Sequence, residues 1–390
     1  MTEWKEYKLG ELTIDGKGSY GIAAPAVDYD SNKYTYLRIT DINDDGTLNK
    51  NGLKSVDDKN AHKYLLQQND IVFARTGASV GRSYFYDERD GELVYAGFLI
   101  KYSIDPTKVN PKILKFYTHS QAYYDWIQTV DNGATRGNIN AQTYASMPII
   151  LPERQEQDRI AAILSSLDDK IDLLHRENAT LEQMAETLFR QWFVVEAKEE
   201  WKEGTVADLV EFNPTRKLVK GAIAPFLEMS NLSTSTYAPT YWYNRAFSSG
   251  SKFQNGDTLL ARITPCLENG KTAYVDFLDE NQVGWGSTEF IVMHSKLGIH
   301  SFSSYVIAKY QDFRDYAESC MSGSSGRQRV DVDNLKNYPI NIPDKTAIAY
   351  FNSEIDTMVS KMNNNNKQIQ TLIQTRDGLL PRLMSGEVKL

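Results

Sequence analysis

The 390-residue sequence points to an α/β (α+β) repeat protein, with two mixed α/β domains separated by two long helices that form an antiparallel intramolecular coiled coil. Three observations carry this reading: an internal repeat of about 190 residues, short aromatic and β-branched runs between turn residues, and two sustained heptad seams. In the repeat, Glu3-Trp4-Lys5-Glu6 returns as Glu200-Trp201-Lys202-Glu203, and NDIVFARTGASVGRSYF (69–85) returns as GDTLLARITPCLENGKTAY (256–274). Gly133-Ala134-Thr135-Arg136 returns as the Gly323 to Arg327 stretch, and MPIILPERQEQ (147–157) as YPINIPDKTAI (338–348). The order is the same in both halves, so the expected division is a domain over 1–150, a spacer helix over 151–195, a second domain over 196–341 and a second spacer helix over 342–390.

Within the first domain, YTYLRIT (34–40), DIVFART (70–76), SYFY (83–86) and FLIKYSI (98–104) are rich in aromatic and β-branched residues, which favour the pleated surface of a strand. A helix is expected after each set of strands, near 111–129 and near 302–320.

After Pro152 the seam positions run from Ile160 through Ile171, Leu174, Asn178 and Leu181 to Trp192, alternating steps of four and three. After Pro343 they run from Ile348 through Phe351, Met362, Asn365 and Ile369 to Leu383 in the same way. Core helices seldom hold a 3.5-residue period for so long, which favours a coiled coil. Asn178 falls at an a-type position and Asn365 at a d-type position. An antiparallel pair faces a layers with d layers, placing Asn178 opposite Asn365, Ile160 opposite Leu383 and Trp192 opposite Phe351. A buried polar pair of that kind sets register; solvent-facing interruptions are the alternative.

Composition narrows the function. Cys266 and Cys320 are the only cysteines, too few for a disulfide framework or a cysteine-based zinc cluster, and a reducing cytoplasm is the expected location. No run approaches 18 apolar residues, so no membrane association is expected. There is no Walker A loop and no Asp/Asn-Pro-Pro-aromatic segment; Asn213-Pro214-Thr215 reads as a turn. Gly16, Gly18 and Gly21 match GxGxxG, but AAPAVDYD follows where a helix should open. The five histidines show no ligand spacing, so no metal site is expected. Carboxylates are plentiful and cannot be paired in space from sequence, which leaves a paired-carboxylate hydrolase open on this ground alone.

The net charge of −8 argues, taken by itself, against a nucleic-acid binder. Partitioned, it is −2 over 1–150, −4 over 151–195, −3 over 196–341 and +1 over 342–390. Half the excess acidity therefore lies in the first helix, and the two domains are near neutral.

Over essentially its whole length the chain resembles a type I restriction–modification specificity subunit. The resemblance rests on the repeated tryptophan-led openings at Trp4 and Trp201, the DIVFARTGASVG and DTLLARITPCLENGK segments, and the helix LPERQEQDRIAAILSSLDDKIDLLHRENATLEQMAETLFRQWF. The ending Leu379-Leu380-Pro381-Arg382-Leu383-Met384-Ser385-Gly386-Glu387-Val388 adds to it. It implies a non-catalytic subunit whose two target recognition domains each read one part of a split, asymmetric double-stranded DNA sequence. The helices set the gap and dock two methyltransferase subunits, which restriction/translocase subunits join in phage defence. It implies no cofactor in this chain: S-adenosylmethionine, ATP and magnesium belong to the partners. The second helix, NSEIDTMVSKMNNNNKQIQTLIQTRD, is polar and Asn-rich compared with the first, so the two docking surfaces are expected to differ. A repeat-built protein-interaction scaffold without DNA binding is the alternative.

Direct readout needs Arg, Lys, Asn, Gln, Ser or Thr at base edges, with further cations and amides on phosphates. In the first domain the candidates are Arg75, Thr76, Ser79 and Arg82 in a glycine-bearing loop after a strand, with Thr135, Arg136 and Asn138 in a loop of small residues. Their counterparts in the second are Arg262, Thr264 and Lys271, with Ser324, Ser325, Arg327, Gln328 and Arg329. A structural role is open for Arg75 and Arg262, because Asp70 and Asp257 repeat in step with them as possible ion-pair partners. Aromatic clusters such as Tyr241-Trp242-Tyr243 can contact DNA or fill cores.

Overall fold

In a computed structural model the chain is described over residues 4–50, 52–131, 138–234, 236–239, 241–296, 298–324 and 326–390. It forms two compact units, Met1–Ile171 with Thr371–Leu390, and Asp172–Gln370, so each unit holds a stretch of both long helices.

In the first unit the opening strand Lys5–Lys8 pairs antiparallel with Pro148–Leu151, Lys5 facing Leu151. The start and finish of the globular part are thus fastened together, which is why both segments recur in the repeat. Between them lie two four-stranded sheets. One has the order Ser19–Tyr20, Leu99–Ser103, Asp70–Ala74, Ser83–Phe85. The other has the order Ala26–Asp28, Lys54–Val56, Thr35–Leu37, Leu93–Tyr95, with the last two parallel. Asp70–Ala74 is buried at all five positions, as an unbroken apolar run after Asp70 requires. The Asp70 carboxylate accepts the Gln67 amide at 2.8 Å, the Ser103 hydroxyl at 2.5 Å and Lys101 at 3.1 Å. A buried carboxylate so satisfied closes the turn into the strand.

The second unit repeats the plan. Lys202–Thr205 pairs with Pro339–Ile342, and Val210–Phe212, Phe290–Ser295, Asp257–Ala261 and Thr272–Tyr274 form the matching sheet. The other sheet keeps the parallel pair, Ile223–Leu227 beside Gly284–Gly286, but has different edges, Tyr243–Ala246 and Ser251–Phe253. Asp257 takes the place of Asp70, accepting the Gln254 amide at 2.8 Å.

Each single helix expected after the strands is instead two. Pro111–Tyr117 and Gln121–Asp131 are divided at Thr118-His119-Ser120, where the Thr118 hydroxyl bonds the Lys115 carbonyl at 2.9 Å and the Ser120 hydroxyl accepts the Tyr123 amide at 3.4 Å. Hydroxyls that compete for backbone partners interrupt a helix. Ser303–Lys309 and Gln311–Ser319 are divided at Tyr310, whose backbone is extended (φ −61°, ψ 128°).

The long helices are Arg154–Arg190 and Lys345–Met384, and they contact each other. In the first unit Ile160 and Leu164 share a core with Leu383 and Met384, and Asp168 bonds Arg376 at 3.1 Å. In the second, Asn365 Nδ2 donates to Asn178 Oδ1 at 2.8 Å and Asn178 Nδ2 donates to Asn366 Oδ1 at 2.9 Å. Trp192 meets Phe351 with ring centroids 6.0 Å apart. Within each unit the contacts run in opposite chain order, and Asn178 and Asn365, both buried, face each other.

The Asn-rich run has a local cause. Asn366 Nδ2 donates to the Tyr237 hydroxyl at 2.6 Å, and that hydroxyl donates to Asn363 Oδ1 at 3.2 Å. Buried Glu182 of the central helix accepts the Tyr237 amide at 3.0 Å and the Tyr305 hydroxyl at 2.8 Å. Polar helix residues here fasten the second globular part to both helices.

Candidate nucleic-acid interface

The strand Asp70–Ala74 delivers Arg75 to the rim of its sheet. The Arg75 amide donates to the Phe98 carbonyl at 3.1 Å and its carbonyl accepts the Ile139 amide at 2.9 Å, which fixes three chain segments side by side. The Arg75 guanidinium lies 4.9 Å from the Tyr20 ring centroid and donates from Nε and Nη2 to Asn138 Oδ1, both at 3.3 Å. Thr76 forms a β-bridge with Asn138. Gly77 takes φ +72° with no atom within 4 Å of where a Cβ would stand, so the loop presents bare backbone there.

Arg75, Thr76 and Asn138 therefore come together. Arg82 turns elsewhere, donating to the Ile42 carbonyl at 3.1 Å and pairing with Asp44 at 2.7 Å, and Ser79 is buried. Thr135 and Arg136, with the rest of 132–137, lie outside the described residues, as does Ser325.

The second unit has the same frame. The Arg262 amide donates to the Glu289 carbonyl at 2.8 Å and its carbonyl accepts the Val330 amide at 3.0 Å, while Ile263 bridges Arg329 as Thr76 bridges Asn138. Positions 75, 98 and 138 of the first unit are thus the backbone equivalents of 262, 289 and 329 in the second. Arg262 Nε donates to the Val330 carbonyl at 2.9 Å. Arg329 grips Glu289 in a bidentate pair, Nη2 to Oε1 at 2.7 Å and Nε to Oε2 at 3.0 Å, and the carboxylate raises the arginine's pKa.

Thr264 and Gln328 exchange backbone and hydroxyl bonds at 3.1 and 3.2 Å. Lys271 Nζ donates to the Met229 carbonyl at 3.1 Å. Ser324 and Arg327 are exposed, and the Arg327 side chain has no partner among the described residues.

The suspected ion pairs between the repeated aspartates and arginines do not form. Asp70 holds Lys101, and Asp257 holds Arg216 at 3.0 Å and His294 at 2.7 Å, leaving Arg75 and Arg262 at the rim. Beside Arg262 lies a groove of about 280 Å³ lined by Asn213, Arg216, Lys252, Arg262 and Thr288 among others. Arg216 and Lys252 carry no motif and were not singled out from sequence; the sheet brings them there. Arg216 Nε is buried without a hydrogen-bond partner. Asn213 adopts φ +52°, as a turn residue does, and its Oδ1 accepts the Val292 amide at 2.9 Å.

Among the described residues no group of three His, Cys, Asp or Glu side chains is arranged to hold a metal ion, and no helix is long and apolar enough to cross a membrane.

Two rims built alike, each closing on an arginine and differing in what surrounds it, define a paired recognition module. The family model described as the type I restriction modification DNA specificity domain matches residues 1–183 and again 198–374, and the chain belongs to that family. It is similar to the type I restriction enzyme HindI specificity subunit of Haemophilus influenzae, 22% identical over 476 residues spanning all of both chains. It is also similar to the MjaIX specificity subunit of Methanocaldococcus jannaschii, 23% identical over 300 residues, covering 68% of this chain and 66% of the relative. In fold it resembles a crystal structure of the type I restriction–modification S subunit from M. genitalium (TM-score 0.52, 15% identity, 98% of this chain and 96% of the other).

Proposed function

We propose that each half of this specificity subunit reads one part of a split, asymmetric double-stranded DNA target, and that the paired long helices act as an antiparallel coiled-coil spacer fixing the gap. The observation that carries this reading is the duplicated rim, where Arg75 and Arg262 leave equivalent strand ends with their guanidinium groups free of the nearby aspartates. A duplex offers two half-sites a fixed distance apart, so a rigid spacer turns separation into specificity.

In this proposal the chain is non-catalytic and works in the cytoplasm. It docks two methyltransferase subunits, which restriction/translocase subunits join, and S-adenosylmethionine, ATP and magnesium are bound by those partners. Sequencing the methylome of the host with and without the gene tests this. A split adenine motif is expected to disappear with the gene, and the absence of any gene-dependent motif overturns the proposal. Arg327→Ala is expected to alter methylation at one half of that motif only; unaltered methylation removes Arg327 from the interface.

With recognition domains near neutral, the isolated chain carries no net positive charge of its own to drive phosphate affinity. Purified alone it is expected to bind a target duplex at least about tenfold more weakly than with its methyltransferase, read by fluorescence anisotropy at one salt concentration. Equal affinities in the two preparations would refute the partner-dependent clamp.

A further inference from the structure

We propose that the two positions flanking each rim arginine set what that half reads: Asn138 and Phe98 favour an A·T pair in the first, and Arg329 and Glu289 favour a G·C pair in the second. This rests on the DNA-reading role proposed above.

The backbone bonds make the comparison position by position. Arg75 and Arg262 each donate an amide to the carbonyl of residue 98 or 289, and each accepts the amide following residue 138 or 329. The arginine is therefore constant while its neighbours change, and a difference confined to a shared frame is where two halves of an asymmetric target can be told apart.

In the first unit, Arg75 donates twice to Asn138 Oδ1, occupying its two lone pairs and holding the amide in one orientation with its Nδ2 donors available. An Nδ2 donor so presented can serve the adenine N7 or the thymine O4 acceptor in the major groove. Phe98 is 60% exposed at the adjoining turn, and an aromatic side chain there suits the thymine methyl group of the same pair.

In the second unit, Glu289 takes three bonds from Arg329, all from Nε and Nη2, so Nη1 is uncommitted, and Arg329 keeps 46% of its side-chain surface exposed. A buttressed guanidinium matches guanine O6 and N7, and a carboxylate beside it can accept from cytosine N4.

The test uses the assembled complex from the host carrying Phe98→Ala, Asn138→Ala or Glu289→Gln in place of the native chain, with methylome sequencing as the first readout. Asn138→Ala and Phe98→Ala are expected to relax one A·T position in one half of the motif. Glu289→Gln is expected to relax one G·C position in the other. Binding of the purified complexes to duplexes changed one base pair at a time is the second readout, with discrimination at that position expected to fall about 5- to 150-fold for Glu289→Gln, which loosens the bidentate guanidinium, and less for Asn138→Ala and Phe98→Ala. Methylation that keeps the same motif at every position in all three variants overturns the inference but leaves the DNA-reading role standing. So does affinity that falls uniformly over all duplexes, which marks a phosphate or packing contact. Absence of any gene-dependent motif in the native strain overturns the DNA-reading role itself.

Discussion

Glu182→Gln is expected to stabilise the chain at pH 8 while leaving it nearly unchanged at pH 5. Burial pushes the Glu182 carboxyl up to about 7, against the bonds it accepts from Tyr305 and Tyr237 and the attraction of Lys309, which favour the charged form. Its folded pKa lies above the unfolded value, so the folded state holds the proton more tightly. The stabilisation is fully present below the unfolded pKa and is lost as pH rises to about 7. A shift of this size corresponds to roughly 3 kcal/mol at most. Glutamine keeps an acceptor for the Tyr237 amide and carries no charge to desolvate.

Asp276, raised to about 6 chiefly by burial, slopes the same way. His175, on an exposed helix face, and half-buried His300, both lowered chiefly by desolvation, slope oppositely. Urea unfolding of variant and native chains across pH 5 to 8 therefore isolates Glu182 as a difference at each pH. A gap between the two that does not widen with pH would show that the carboxyl is already ionised at pH 5.

The repeat, the strands and the two seams were legible because their signals are local and written twice. DIVFA and DTLLA read as buried strands from composition, and heptad spacing alone places Asn178 opposite Asn365. The break at Tyr310 was not legible, because the amphipathic pattern runs through it and only the backbone turns.

At the candidate interface, Arg75, Arg262 and Arg329 stand out because motif position marks them. Their partners do not, since Phe98 and Glu289 lie 23 and 27 residues from their arginines in the chain and meet them only through the sheet. Arg82 and Lys271 look alike from sequence, yet both are occupied by backbone carbonyls. From sequence the Asn run marks only a difference between the two helices. Its nearer cause is Tyr237, whose hydroxyl Asn363 and Asn366 share.

The largest effect on the spacer is expected from Asn178→Leu, which should destabilise the chain by about 1–3 kcal/mol by stranding polar groups in an apolar seam. Asn365 Nδ2 would lose its Asn178 acceptor and keep only Glu177, its own Oδ1 is already buried without a partner, and Asn366 would keep only Tyr237. Adding Asn365→Leu removes the amide left behind, so the double variant should regain most of that loss in denaturant unfolding. Its seam would then be apolar at the layer that distinguishes one register from the next, and slippage by a heptad becomes cheaper. In the proposed role as a gap-setting spacer, the methyltransferase complex carrying the stable double variant is expected to methylate motifs of more than one gap length, whereas the complex with the native chain methylates one. A double variant as unstable as Asn178→Leu, or one that is stable and still restricted to a single gap, would show that register is set elsewhere, by Tyr237 and the aromatic cluster of Phe189, Trp192, Phe193 and Phe351.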